Sequence, residues 1–383
     1  MRVVVAHNFY SRVNPSGENA VVEDDVSLLR AGGVDVVEYF RASDDIVGPR
    51  AKVDAAVTVL WNPLADKTWR LFLERHQPDV VHLHNPTPLL SPRSMDIATR
   101  MGVPVVRTIH NYRLTCIAGT HFRNGAICVA CNHKTSAAGI YHGCYRGSHL
   151  QSGLITAGRA IVDTYRGASR LIALTEYMAE YLVSQGVHRD RIVVRANPVA
   201  VVDTPVKARD GFIFAGRFDA AKGVVDLVRD WQPERELLTV VGTGPALGTL
   251  RCLSNGKHNV VIIDGLPHED LLARIRSARA VLVPSRWFEG FPRVIAESFS
   301  MGTPVIASRI GSLQSVVTSQ RGWLVARWGP DELNRVLEEV HDPRSWQPRS
   351  DACLNYARST LSLSVGFDAL MAIYGEVVRS APD

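Results

Sequence analysis

The sequence predicts an α/β chain built as two Rossmann-like, doubly wound parallel-sheet domains facing a central cleft. Three observations predict it. The chain has 383 residues, more than one ordinary core takes, which indicates two domains. Short β-branched runs alternate with helical stretches in both halves, the grammar of parallel sheets with crossover helices. The strand candidates are continuous apolar runs, as expected when both faces of a sheet are covered.

In the first half, strands are expected at Arg2–Ala6, Val34–Tyr39, Asp79–His82, Val103–Thr108, Arg170–Ala173 and Ile192–Val194. Helices are expected at Asn19–Ala31 and Thr68–His76. Val22, Val26 and Leu29 fall at helical spacing, and Gly32-Gly33 closes that first helix. Asn197-Pro198 and the stretch Pro205–Asp210 carry linker chemistry, which puts the boundary near residue 200. Strands resume at Phe212–Phe214, Leu238–Val241, Val260–Ile263, Ala280–Val283 and Pro304–Ala307. The expected division is 1–199, 200–360, and a terminal helix over 361–383 that packs back on the first domain. A Cys-rich insertion occupies 113–148.

Composition excludes several classes. Apolar residues make up 46% and charged residues 21%, too balanced for a disordered or membrane-embedded chain. No run approaches the roughly 18 apolar residues of a spanning helix. The opening MRVVVAHNFY reads as a first strand, not as a signal peptide. The expected compartment is the cytoplasm, where disulfides are rare. The net charge of +5 lies wholly in residues 1–200. Residues 91–170 hold ten Lys and Arg against Asp96 and Asp163 alone. Such concentration fits an anionic partner, or simply a solubilising basic face.

The chemistry concentrates in Ser285–Ser308, SRWFEGFPRVIAESFSMGTPVIAS. It follows the strand Ala280–Val283, so its loop lies at a strand's carboxyl end, where ligands of such sheets bind. Glu289 closes the loop, and Gly290, Phe291, Pro292 and Arg293 lead into a helix. Pro292 suits a first turn, and the helix N-terminus offers free N–H groups to an anion. Glu297 follows two turns beyond Glu289. A carboxylate beside a sugar or ribose accepts hydroxyl hydrogen bonds. Gly242-x-Gly244 invites a dinucleotide reading, but Gly248 puts the third glycine at the wrong spacing and Pro245 intrudes.

The stretch from Phe288 to Ser308 resembles the signature of retaining glycosyltransferases of the GT-B fold, specifically glycosyltransferase family 4. Ala215-Gly216-Arg217 followed by Lys222-Gly223 resembles that family's donor-phosphate motif, and Val241–Pro245 its glycine-bearing strand end. Asp79–Asn85 and Thr108–His110 resemble its N-terminal motifs. Gly311-Ser312-Leu313-Gln314 departs from the family, where two glycines and a Glu are common, and this affects a secondary contact. The resemblance implies a nucleoside-diphosphate sugar as donor and no catalytic divalent metal. It implies Arg217 and Lys222 on the diphosphate, with Gly216 in their motif, Glu289 on the sugar hydroxyls and Glu297 on the ribose. The backbone near Leu266 would meet the base. His110 would lie near the forming bond, and Gly17 against the donor phosphate. Nucleotide-sugar epimerases share the fold, but no acid/base pair for that chemistry is evident; a non-catalytic scaffold would not be expected to keep all four charged residues.

Cys116, Cys128, Cys131 and Cys144 fall in one window. Their spacing fits a tetrahedral structural zinc, with His121, His133 and His142 as competing ligands and free thiols or disulfides as alternatives. The cluster shares the basic window. The expected acceptor is therefore phosphorylated or lipid-linked, with peripheral contact to an anionic membrane on the inner face and no nucleic acid.

Overall fold

The computed structural model describes residues 1–10, 17–48, 62–86, 89–90, 93–113, 115–131, 136–161, 165, 167–202 and 209–380. The candidate ligand His133 and most of the linker stretch Pro205–Asp210 lie outside them. The chain divides into two compact units. Unit 1 comprises Met1–His121, Cys128–Arg195 and Phe367–Asp383; unit 2 comprises Phe122–Ile127 and Ala196–Gly366.

Unit 1 carries six parallel strands: β1 (Arg2–Phe9), β2 (Asp35–Ala42), β3 (Val80–Leu83), β4 (Val105–Ile109), β7 (Arg170–Ala173) and β8 (Ile192–Val194), in the order β2-β1-β3-β4-β7-β8. β1 extends beyond the expected Ala6 because its pairing with β2 continues to Phe9 opposite Ala42. The helix Pro63–His76 begins earlier than expected. Asn62 caps it by accepting from the Ala65 N–H, and Pro63 occupies the first turn, where it gives up no needed donor. One core forms from Val3, Val5, Val22, Val26, Leu29, Val80, Val106 and Ile172 together with Leu370, Ile373, Tyr374 and Val377. The last four come from the terminal helix Leu363–Arg379, so the end of the chain completes the core of its beginning. Gly32 sits against that helix; a Cβ there would lie 2.1 Å from the Phe367 ring.

Unit 2 holds β9 (Phe212–Ala215), β10 (Leu238–Gly242), β11 (Val260–Asp264), β12 (Ala280–Val283), β13 (Val305–Ser308) and β14 (Gly322–Val325), all parallel, in the order β11-β10-β9-β12-β13-β14. Strand order reverses between β9 and β12, and the carboxyl ends at such a switch point frame a ligand site. Phe212, Phe218, Trp231, Leu282 and Ile306 anchor its core. The short antiparallel hairpin of β5 (Phe122–Arg123) and β6 (Ala126–Ile127) also groups with unit 2. Its Gly125 carbonyl accepts from Arg286 Nη2 at 2.7 Å. Among the described residues no helix is long and apolar enough to cross a membrane.

Candidate functional site

In unit 2 the switch point gathers three of the expected residues. Arg217 follows β9, Lys222 lies in the turn after it, and Glu289 ends the loop after β12. Lys222 Nζ sits 2.6 Å from Glu289 Oε1, and Ser285 Oγ donates to the same oxygen at 2.6 Å. Burial alone would raise the Glu289 pKa; Lys222, with help from Ser285 and Trp287, outweighs it and holds the carboxyl below its ordinary range. Trp287 lies beneath both cations. The Arg217 guanidinium stands 5.7 Å and Lys222 Nζ 5.2 Å from its ring centroid, within cation–π range. Arg217 is half exposed and pairs with Asp219 at 3.2 Å. Two cations thus share one indole, and one of them, Lys222, also binds the buried carboxylate directly.

Close backbone packing fixes this arrangement. A Cβ on Gly242, at the end of β10, would fall 1.8 Å from the Gly216 carbonyl oxygen, and one on Gly223 would fall 2.0 Å from the Pro284 carbonyl. Only glycine permits these approaches, and Gly223 also holds a φ of +71°. The glycines near Arg217 and Lys222 are therefore spacers between strand ends.

The helix after Glu289 runs Arg293–Ser300, so Pro292 is its capping residue and not its first turn. Glu297, 3% exposed, is held by Arg293 Nε at 2.7 Å and faces His268 Nε2 at 3.4 Å. Phe291 is buried, and its carbonyl accepts from Asn197 Nδ2 at 3.3 Å. Leu266 follows β11, after Gly265, whose N–H donates to the Gly242 carbonyl. Glu297 belongs to a second polar cluster with its own partners, distinct from the one around Trp287.

In unit 1, His110 directly follows β4. Its Nε2 lies 2.9 Å from His84 Nδ1. His84 packs on His82 with ring centroids 4.2 Å apart, and His82 is hydrogen-bonded by Thr108 and Tyr374. Burial lowers the pKa of His7, His82, His84 and His110, the last to about 4. All four are neutral near pH 7. Beside them Arg195 Nη2 and Asp25 Oδ1 form a buried ion pair at 2.7 Å. Gly17 is exposed at the first position of the helix Gly17–Ala31.

The expected zinc site is not supported. Among the described residues no group of three or more His, Cys, Asp or Glu is placed to hold a metal ion, and Cys116, Cys128, Cys131 and Cys144 form no disulfide with one another. The loop is organised by other means. Arg159 donates to the carbonyls of Arg113, Thr115 and Cys116 and to Ser136 Oγ. Cys116 Sγ accepts from the His121 N–H. One guanidinium ties together the backbone that a metal was expected to tie.

With this geometry in place, comparison with known proteins is decisive at the level of family. Residues 16–198 match the glycosyl transferase 4-like domain, and residues 209–342 match glycosyl transferases group 1. The chain belongs to the group 1 glycosyltransferases. A glycogen synthase of Mycobacterium tuberculosis is 28% identical to this glycosyltransferase over 327 residues, 82% of this chain and 70% of that one. A D-inositol 3-phosphate glycosyltransferase of Paenarthrobacter aurescens is 30% identical over 249 residues, 58% of this chain and 59% of that one. Among solved structures, a sucrose-phosphate synthase from Thermosynechococcus elongatus has a TM-score of 0.71 at 15% identity, covering 99% of both chains. Anabaena HepE in complex with UDP has a TM-score of 0.64 at 14% identity, covering 98% of this chain and 100% of that one. The shared fold is GT-B, as the motifs led one to expect.

Three residues of the glycosyltransferase's polar clusters were not singled out from the sequence: Trp287, Ser285 and His268. Trp287 lies inside the quoted motif, yet its place under two cations depends on β9 and β12 being neighbours. His268 carries no sequence signal at all.

Proposed function

We propose that this glycosyltransferase transfers a sugar from a nucleoside-diphosphate sugar to an acceptor hydroxyl with retention of anomeric configuration. The observation that carries the reading is the pairing of Lys222 with Glu289, beside Arg217, at the switch point of unit 2. A departing diphosphate gains negative charge, and fixed cations stabilise that charge as it develops. Arg217 and Lys222 are assigned this role, with Gly216 and the helix-start residues Gly290, Phe291, Pro292 and Arg293 shaping the donor pocket. Glu289 is held ionised and accepts hydrogen bonds from sugar hydroxyls. Glu297 is assigned the ribose, and the backbone at Leu266 the base. Gly17 is assigned the donor phosphate and His110, neutral near pH 7, the sugar.

In the proposed step the anomeric C–O bond to the diphosphate breaks through an oxocarbenium-like state. The acceptor oxygen bonds the same face of that carbon, and its proton passes to the departing phosphate oxygen. The two cations suffice for this role without a catalytic metal. The basic window is assigned to an acceptor that is phosphorylated or lipid-linked, met at an anionic cytoplasmic membrane surface.

The test is a screen of donors for release of nucleoside diphosphate, with Glu289→Ala as the negative control. One donor is expected to be turned over, with the product in the donor's anomeric configuration and release abolished in the variant. An inverted product, or a glycosyl group trapped covalently on a side chain, would overturn the mechanism.

A further inference from the structure

Unit 1 contains a cavity of about 100 Å³ beyond the carboxyl end of β4, reaching to the helix His149–Ile161. Its charge is lopsided. Arg107, Arg113 and Arg159 line it, and among the described residues Glu18 is the one carboxylate that does. His84 and His110 also line it and bring no charge near pH 7, since burial keeps both neutral.

Each cation is held in place. Arg107 lies over the Tyr165 ring at 5.1 Å and Arg113 over the Tyr10 ring at 5.2 Å. Arg159 is fixed by the loop carbonyls it binds, and carbonyl dipoles do not cancel its charge. Glu18 is shared, since Tyr10 Oη donates to it at 3.1 Å and Asn111 Nδ2 at 3.4 Å. A second observation points the same way. His84 is 2% exposed, yet its Nε2 has no hydrogen-bond partner among the described residues. Buried polar atoms in folded proteins are otherwise almost always paired. Preplaced guanidinium groups with one carboxylate among them form a receptor for an oxyanion, which guanidinium binds in forked fashion.

We propose that this cavity binds an oxyanion group of the acceptor, a phosphate or a carboxylate, and so anchors the acceptor beside His110. The proposal rests on the glycosyl-transfer reading given above and adds to it a site and a ligand class. Neutral acceptors would forgo the charge-assisted contacts to these guanidinium groups and would be selected against.

The experiment titrates the full chain with inorganic phosphate and, separately, with acetate by calorimetry. It compares the wild type, Arg113→Gln, Glu18→Gln and Arg217→Gln. Wild type is expected to bind one of the two anions, phosphate identifying a phosphorylated acceptor and acetate a carboxylated one. Arg113→Gln is expected to weaken that binding about tenfold, the effect of losing one charge-assisted contact. Glu18→Gln, which removes the opposing charge, is expected to tighten it severalfold, an effect that misfolding would not produce and that decides the matter if Arg113→Gln fails to fold. Arg217→Gln, which alters the assigned donor site, is expected to leave unchanged the binding that responds to Arg113→Gln and Glu18→Gln. Binding of neither anion, or binding indifferent to both unit 1 variants, overturns the proposal. Nucleoside diphosphates titrated into the same proteins keep the two readings apart. If they bind wild type and Arg113→Gln but not Arg217→Gln while the anions fail, the donor reading stands and the anion site falls.

Discussion

Arg217 and Lys222 look alike in sequence but sit in different electrostatic settings. Lys222 is committed to a buried carboxylate, and removing either partner strands a charge away from water. Arg217 is half exposed and leans on Trp287 and Asp219. It is therefore the residue at which catalysis separates from stability. Arg217→Gln is expected to lower kcat about 100- to 1000-fold, the scale of losing one preorganised stabiliser of developing charge. Its unfolding free energy should stay within about 0.5 kcal/mol of wild type, as for other exposed changes. Parallel kinetics and urea melts check both halves. A fall in stability that accounts for the lost rate would remove Arg217 from the chemistry.

At the scale of elements, the ends of β9 and β10 are one device. The Gly216 carbonyl occupies the space a Gly242 side chain would need. Gly242→Ala is therefore expected to push the Arg217 segment out of place and cost about 1–3 kcal/mol, the usual cost of overpacking. Nucleoside-diphosphate binding should be lost well below the melting point, and calorimetry at 25 °C reads this directly. Retained affinity would mean the strand ends move independently. The strands themselves were legible because parallel sheets demand continuous apolar runs, and Phe212–Ala215 and Ala280–Val283 supply them. β14 escaped notice, since Gly322–Val325 is only four residues long and opens on the glycine of an Arg-Gly pair. The hairpin of β5 and β6 is too short, at two residues a strand, to show any period. Glu289 and Glu297 were legible because their motif ties them to a strand end and a helix. Ser285 reaches Glu289 from four residues away in the same loop, whereas the setting of Trp287 and the partner His268 depend on which strands become neighbours, which no local pattern states. The cysteine spacing misled because spacing records which thiols are near in sequence, whereas Arg159, a helix away, organises the loop.

For the whole molecule, the buried imidazoles of unit 1 set a limit in acid. His7, His82, His84 and His110 are held neutral by burial, with Arg195 and Asp25 beside them. The unfolded chain protonates each near pH 6.5, whereas the folded chain resists, His110 down to about 4. Stability is thus whole above about pH 6.5 and falls as the pH drops, for His110 by on the order of 1 kcal/mol per pH unit toward about 4, with His7, His82 and His84 acting in the same direction. Urea midpoints at pH 7.5, 6 and 5 are expected to fall in that order. A flat profile over this range would show that the histidines are not buried as described.

The terminal helix has a consequence in time. Phe367 to Asp383 belong to unit 1, whose preceding segment ends at Arg195, and four of their side chains fill its core. On a ribosome adding about 5–20 residues per second, that gap delays completion of the first sheet's core by on the order of ten to thirty seconds. Unit 2 lies between and can fold while unit 1 waits with an apolar face uncovered. The nascent chain therefore matures out of sequence order, and its early half is the part that needs a chaperone's shelter.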